Sequence, residues 1–232
     1  VNESQSGIER AVVVVPVHNE EPLLSSCLSA IANAMTQAPV PTELIIALDA
    51  CTDASADIAS RWAREIGASI IELNRRNVGA ARAAGFRSAA HAPRTWFATT
   101  DADSVVRPNW LVSQLAHAHR GAHVVAGTVV AEFDPGNQAL KVAYEADYRS
   151  VAGHGHVHGA NLGMRADAYW CVGGFGAVAS DEDVDLVRRF ADATIPVLYA
   201  ADAPVTTSTR LFGRAPSGFA GHLRSLHLAA AQ

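Results

Sequence analysis

The chain opens on a regular alternation of apolar runs and polar interruptions. Ala11 to Val17 is a continuous apolar run rich in valine. Such β-branched runs, apolar on both faces, predict a central strand of a sheet covered on both sides. His18-Asn19-Glu20-Glu21-Pro22 breaks the run, and Leu23, Leu24, Cys27, Leu28 and Ile31 then recur at helical spacing. Leu44 to Leu48 predicts a second buried strand ending at Asp49. Ile58, Trp62 and Ile66 mark a second helix, with Thr52 or Asp53 as its expected N-cap. Ser69 to Glu72 predicts a third strand, the Ala-rich stretch after Asn77 a helix to about Ala90, and Trp96 to Thr100 a fourth strand. Strands alternating with helices at this pace predict an α/β fold, a three-layer α/β/α sandwich with a mostly parallel sheet.

The second half loses this rhythm. Val124 to Phe133 reads as a strand interrupted by Gly127, and residues 137–151 as a helix. A Gly/His-rich patch containing His154, His156 and His158 follows. Asp167 to Cys171 predicts a short helix closed by Gly173-Gly174, Ser180-Asp181-Glu182-Asp183 opens another, and Ile195 to Tyr199 is the expected last strand. The tail, with Arg210, Arg214 and Arg224, ends in an apolar and basic helical pattern. No repeat or linker divides the chain, so one domain over residues 1–232 is expected.

Polar residues gather where the strands end: Asn19-Glu20 after the first, Asp49 after the second, Asn77 to Gly79 near the third, Asp101-Ala102-Asp103 after the fourth. In α/β sheets ligands bind beyond the C-terminal strand ends. In extended backbone, side chains two apart share a face, so Asp101 and Asp103 project together. They repel unless a cation lies between them. A hard divalent cation such as Mg or Mn, which takes oxygen ligands and bridges carboxylates to phosphates, meets that need. A solvated Asp-rich turn is the plainer reading of the same residues.

Composition narrows the class. The 232 residues carry a net charge of −5 and are 49% hydrophobic, which excludes a disordered chain and gives no basic surface for nucleic acid. Cys27, Cys51 and Cys171 are scattered with no C-x-x-C pair, so neither a disulfide framework nor a zinc site is expected. No apolar run reaches the ~18 residues of a membrane span. The expected setting is cytoplasmic, including the inner face of a membrane, and a leader trimmed ahead of Val1 is left open. Pro16-Val17-His18-Asn19 holds no glycine, against both a Rossmann G-x-G-x-x-G and the Gly-rich loop of sugar-phosphate nucleotidyltransferases.

In order, the segments resemble nucleotide-sugar-dependent glycosyltransferases of family 2, which have the GT-A fold. The likeness rests on Val15-Pro16-Val17-His18-Asn19-Glu20-Glu21, Asp49-Ala50-Cys51-Thr52-Asp53, Asn77-Val78-Gly79-Ala80-Ala81-Arg82 and Thr100-Asp101-Ala102-Asp103 with Pro108-Asn109-Trp110-Leu111. It continues in Gly159-Ala160-Asn161-Leu162-Gly163, Gly173-Gly174-Phe175 and Glu182-Asp183-Val184-Asp185-Leu186. The second and third signatures are shorter than in many members, which leaves the nucleobase and sugar preference open.

The resemblance implies a nucleotide-binding half, about residues 11–120, and an acceptor-binding half with the C-terminal tail, about 121–232. It implies a metal-dependent inverting glycosyltransferase acting on a nucleotide-diphosphate sugar and a hydroxyl acceptor, whether small molecule, glycan or lipid-linked. Pro16, Glu20, Asp49, Asn77, Gly79, Arg82, Asp101, Ala102 and Asp103 would line the donor, with Asp103 and Asp101 on the metal. The plainer readings are a first-turn helix acid for Glu20, a turn residue for Asp49 and a solvated arginine for Arg82. Asp183 would be the base, with Glu182 the second candidate and Asp185 a structural alternative. Gly159, Ala160, Asn161, Arg210 and Arg214 would face the acceptor. His158 or His222 is a candidate further metal ligand, and a loop lining the acceptor is the plainer reading of the histidines. A non-catalytic nucleotide-sugar-binding protein would lack the D-x-D or the base, and both are present.

Overall fold

The computed structural model describes residues 7–89, 94–133 and 150–208, together with residues 138, 141, 142, 144 and 148. The described elements are β1 (Arg10–Val17), α1 (Leu24–Gln37), β2 (Thr42–Asp49), α2 (Ser55–Ile66), β3 (Ser69–Leu73), α3 (Val78–Ser88), β4 (Thr95–Thr99), β5 (Ser104–Val105), α4 (Trp110–His119), β6 (Val124–Glu132), β7 (Leu162–Arg165), α5 (Ala166–Cys171), α6 (Glu182–Asp192) and β8 (Val197–Ser208). They form one sheet in the order β3-β2-β1-β4-β7-β6-β8-β5. β3, β2, β1 and β4 are mutually parallel, β7 is antiparallel to both its neighbours, and β8 is parallel to β6.

The valine run explains the centre. Val13, Val15 and Val17 pack towards α1 and α4 with Leu28, Ile31, Trp96 and Trp110. Val12 and Val14 pack on the other face towards Phe86 of α3, Phe97 and α6. A strand buried on both faces cannot alternate polar and apolar residues, hence the unbroken run. Phe86 stacks on Phe97 at 4.5 Å, and Tyr169 meets both rings.

Three boundaries differ from the sequence expectation. The last strand runs to Ser208, and its pairing with β6 shifts register between Gly127 and Val129. Ala201 to Pro204 carries little strand propensity and falls in that shift, between the Gly127–Ala200 and Val129–Val205 pairs. β5 and β7, of two and four residues, are too short to leave a periodic signal. The N-cap of α2 is Ala54, with no side-chain cap bond. Asp53 acts one position earlier, accepting from the Ser55 N–H at 3.0 Å. Of the helix expected over 137–151, the described residues 138, 141, 142 and 144 are helical, whereas 148, 150 and 151 are not, so the helix ends before Tyr148. No helix among the described residues is long and apolar enough to cross a membrane. The three cysteines are free thiols.

Candidate active site

The loops after β1 and β2 clasp each other at the C-terminal edge of the sheet. Asn19 Oδ1 accepts from the Thr52 N–H at 2.7 Å, and Glu21 and Asp53 exchange carboxylate-to-amide bonds with each other's segments. The Glu20 N–H donates to the Ser55 hydroxyl at 2.8 Å, so the Glu20 backbone is fixed beside the start of α2. Pro16 sits within β1 opposite Ala47. Asp49 is buried, and its carboxylate accepts from the N–H groups of Arg75, Arg76 and Asn77 at 2.6, 3.0 and 2.8 Å. It therefore organises the β3–α3 loop, a role no local pattern reveals because its partners lie 26 to 28 residues on. Asn77 is the N-cap of α3, accepting from the Ala80 N–H, and its amide donates to the Val178 carbonyl. Gly79 is pressed against α6: a Cβ there would stand 2.1 Å from the Gly176 carbonyl oxygen.

Arg82 is the hub. It is 2% exposed, donates through Nη2 to Asp101 Oδ1 at 2.5 Å, and through Nη1 to Glu182 Oε1. Its guanidinium lies 5.4 Å from the Phe175 ring centroid, a cation–π contact. A Cβ on Gly159 would stand 2.3 Å from Arg82 Nη2, so only glycine admits the guanidinium. Asp101 keeps an open edge at 37% exposure, Asp103 is partly exposed, and Ala102 turns into the core. Burial pushes the Asp101 carboxyl above its ordinary range; Arg82 opposes that, while Asp103 and Glu182 reinforce it.

Asp183 stands at the opposite wall, on the first turn of α6. Its Oδ2 accepts from the Gly159 N–H at 2.6 Å and its Oδ1 from its neighbour Val184 N–H at 2.8 Å. Burial first and Glu182 second push its carboxyl up, against the pull of Arg82 and the two amides. Glu182 is committed to Arg82 and is 8% exposed along its side chain. Asp185 pairs outward with Arg188 and Arg189, consistent with a structural role.

Asn161 points inward. Its Oδ1 accepts from Trp110 Nε1 at 2.9 Å and Gln114 Nε2 at 3.4 Å, and its Nδ2 donates to the Thr128 and Ala203 carbonyls. That exhausts the side chain's hydrogen-bonding capacity, so it braces β6, β8 and α4 beneath the site rather than meeting an acceptor. Ala160 is buried beside it. Gly159 contributes its N–H. Arg210, Arg214, Arg224 and His222 lie outside the described residues. His158 Nε2 is 3.0 Å from the Tyr148 hydroxyl, which also accepts from the Val129 N–H. Sequence reasoning passed over Tyr148 and Gln114; nothing but an aromatic and an amide at helical positions marks them.

The fit of a divalent cation rests on the donor set. Four carboxylates, Asp101, Asp103, Glu182 and Asp183, act electrostatically on this cleft, and Arg82 faces them. Among the described residues no cluster of three or more His, Cys, Asp or Glu side chains could hold a metal by itself. The Asp101–Asp103 pair offers a partial shell of hard oxygens, which suits a cation whose remaining ligands are phosphate oxygens and water.

The architecture is that of the GT-A glycosyltransferases. Residues 1–349 of S. aureus TarS in complex with UDP-GlcNAc superpose with a TM-score of 0.66 at 14% identity, over 96% of this chain and 65% of that one. The mannosyltransferase PcManGT from Pyrobaculum calidifontis, in complex with GDP-Man and Mn2+, gives 0.64 at 20% identity, over 95% and 70%. GalNAc-T7 with UDP, GalNAc and Mn2+ gives 0.63 at 12% identity, over 87% and 44%. Against a longer TarS chain the match covers 37% of that protein, so this chain spans well under two thirds of it. No curated protein matches by sequence. The profile of Glycosyl transferase family 2 matches residues 12–173, and the chain belongs to that family.

Proposed function

We propose that the chain is a metal-dependent, inverting glycosyltransferase that moves a sugar from a nucleotide-diphosphate donor to a hydroxyl acceptor. One observation carries the reading: Arg82 ties the D-x-D end of β4 to the first turn of α6, so a cation-seeking carboxylate pair and a half-buried, amide-held carboxylate face one cleft. Structural neighbours bind UDP-GlcNAc or GDP-Man, the latter with Mn2+, which supports a nucleotide-sugar donor here.

Asp183 accepts the acceptor's hydroxyl proton. The acceptor oxygen forms a bond to the anomeric carbon as that carbon's bond to the diphosphate breaks, and attack from the face opposite the leaving group inverts the centre. The raised affinity of Asp183 for protons suits this, because a base works best when its pKa approaches the working pH. Asp103, with Asp101, would hold the divalent cation, which when bound offsets the charge of the departing diphosphate. Arg82 orients Asp101 and keeps Glu182 out of competition for the proton. Glu20 lies by the donor edge.

The test is thermal shift with UDP and GDP, each with and without Mn2+. A metal-dependent rise with at least one nucleotide is expected; no rise with either would overturn the donor site. A panel of nucleotide sugars read by mass spectrometry then identifies the sugar transferred.

A further inference from the structure

A groove at the β5 edge of the sheet has no part in the reading above. An open cavity of about 490 Å³ lies against Val105 of β5, Val130 and Phe133 at the end of β6, Thr206 of β8 and Lys141. That volume falls in the range of small-molecule sites, which are mostly apolar with a few polar groups. Strand register builds its floor. Val105 and Val130 each pair with Thr206, so the three side chains stand in one row on one face of the sheet. Their neighbours Ser104 and Thr207 turn inward and hydrogen-bond at 2.9 Å. Val105 and Val130 are 42% and 41% exposed. Two β-branched side chains held out to water on either side of Thr206 gain from being covered. Val105 follows Asp103 by two positions, so the groove begins beside the D-x-D.

A second observation leads from the groove to the base. Phe133 meets the Tyr144 ring at 5.6 Å, Tyr144 stacks on Tyr148 at 5.0 Å, and Tyr148 stacks on His156 at 4.3 Å. The Tyr148 hydroxyl meets His158, and the next residue, Gly159, holds Asp183 by its N–H. A run of rings thus leads from Phe133, which lines the groove, to His158, the residue before the amide that holds Asp183. Glu132 and Lys141 are the charged residues along the groove.

We infer that the acceptor is an alcohol with an apolar aglycone, its hydroxyl at Asp183 and its apolar part along Tyr148 and Phe133 into the Val105–Val130 groove. The inference rests on the transfer reaction proposed above. It is tested by calorimetric titration, without nucleotide, of methyl, phenyl and n-octyl β-D-glucopyranoside, the last below its micelle concentration. At least one apolar glycoside is expected to bind about tenfold or more tighter than the methyl one. Preference for octyl denotes a lipid-like aglycone and preference for phenyl an aromatic one. Val130→Asp should bring the preferred probe to within about threefold of the methyl glycoside, while Val112→Asp, an exposed change on α4 outside the groove, should leave the preference intact. Binding of neither apolar probe, equal binding of all three, or a preference that survives Val130→Asp overturns the inference. UDP and GDP are titrated separately: lost apolar preference with intact nucleotide binding overturns the groove alone. Apolar preference without nucleotide binding overturns the transfer reading and leaves the groove standing as an apolar-ligand site.

Discussion

Arg82 and Glu182, 100 residues apart in sequence, are joined by a buried guanidinium–carboxylate bond that fastens α3 to α6. Removing one partner strands the other charge in a site that water barely reaches. Arg82→Met should cost about 3–5 kcal/mol, read as a lower midpoint in urea. Adding Glu182→Gln should recover part of that loss, since the stranded charge is then gone. Additive destabilisation by the two changes would show that the pair is not coupled.

Asp183 gives a prediction with a definite sign. Its carboxyl holds its proton more tightly folded than unfolded, so between those two pKa values the folded state binds more protons and stability falls as pH rises. At neutral pH the ionised group therefore opposes folding. Asp183→Asn should abolish transfer while leaving the melting temperature at pH 7.5 unchanged or higher, and any gain should shrink as pH drops below the ordinary carboxylate range. The wild-type rate should fall on acidification with a midpoint above the ordinary carboxylate range. Retained transfer in the amide variant would remove Asp183 from the chemistry.

Asp49 accepts three backbone amides of the β3–α3 loop. Asp49→Ala should cost about 3 kcal/mol, the scale of charge-assisted bonds lost together. At roughly 2–4 °C per kcal/mol for a chain of this size, the melting temperature should drop by about 6–12 °C. Asp49→Asn, which keeps acceptor capacity on one oxygen, should fall between. A loss of nucleotide binding with no change in melting temperature would instead make Asp49 a ligand contact.

Gly79 is a glycine inside a helix, where alanine would ordinarily be preferred by about 1 kcal/mol. The Cβ would collide with the Gly176 backbone and approach Glu182 Cβ at 3.1 Å. Gly79→Ala should therefore destabilise by about 1–3 kcal/mol, visible as a lower unfolding midpoint.

Ala50 adopts φ 52°, a left-handed conformation that costs a residue with a Cβ about 1 kcal/mol or more. Ala50→Gly should raise the melting temperature by a few degrees despite the greater freedom it gives the unfolded chain. No rise would mean that the added freedom of the unfolded chain cancels the relieved strain, since the backbone bond from residue 50 N–H to the Leu73 carbonyl, 2.8 Å long, is kept by either residue.

Much of the first half of the chain was readable because burial on both faces leaves long apolar runs, and the D-x-D follows one of them directly. The strands β5 and β7 escaped because two and four residues cannot show a period. Side-chain direction was the harder matter. Asn77, Asn161 and Asp49 are polar residues in polar segments, and only the fold shows them turned onto backbone groups or into the interior. Glu182 and Asp183 are neighbours of similar chemistry. What separates them is Arg82 on one side and the Gly159 amide on the other, partners too distant in sequence to leave a local mark.

Thr99, the last residue of β4, pairs with Leu162, the first of β7, because the two strands run in opposite directions. In the first half of the chain the residues at the cleft are therefore those that follow strands, whereas Gly159 reaches the same edge by preceding one. The long connection from β6 into β7 enters from the cleft side, so insertions or deletions there would reshape what meets Asp183 without altering the spacing of Asp101 and Asp103. The reversed strand lets one half of the cleft diversify in length while the other stays fixed.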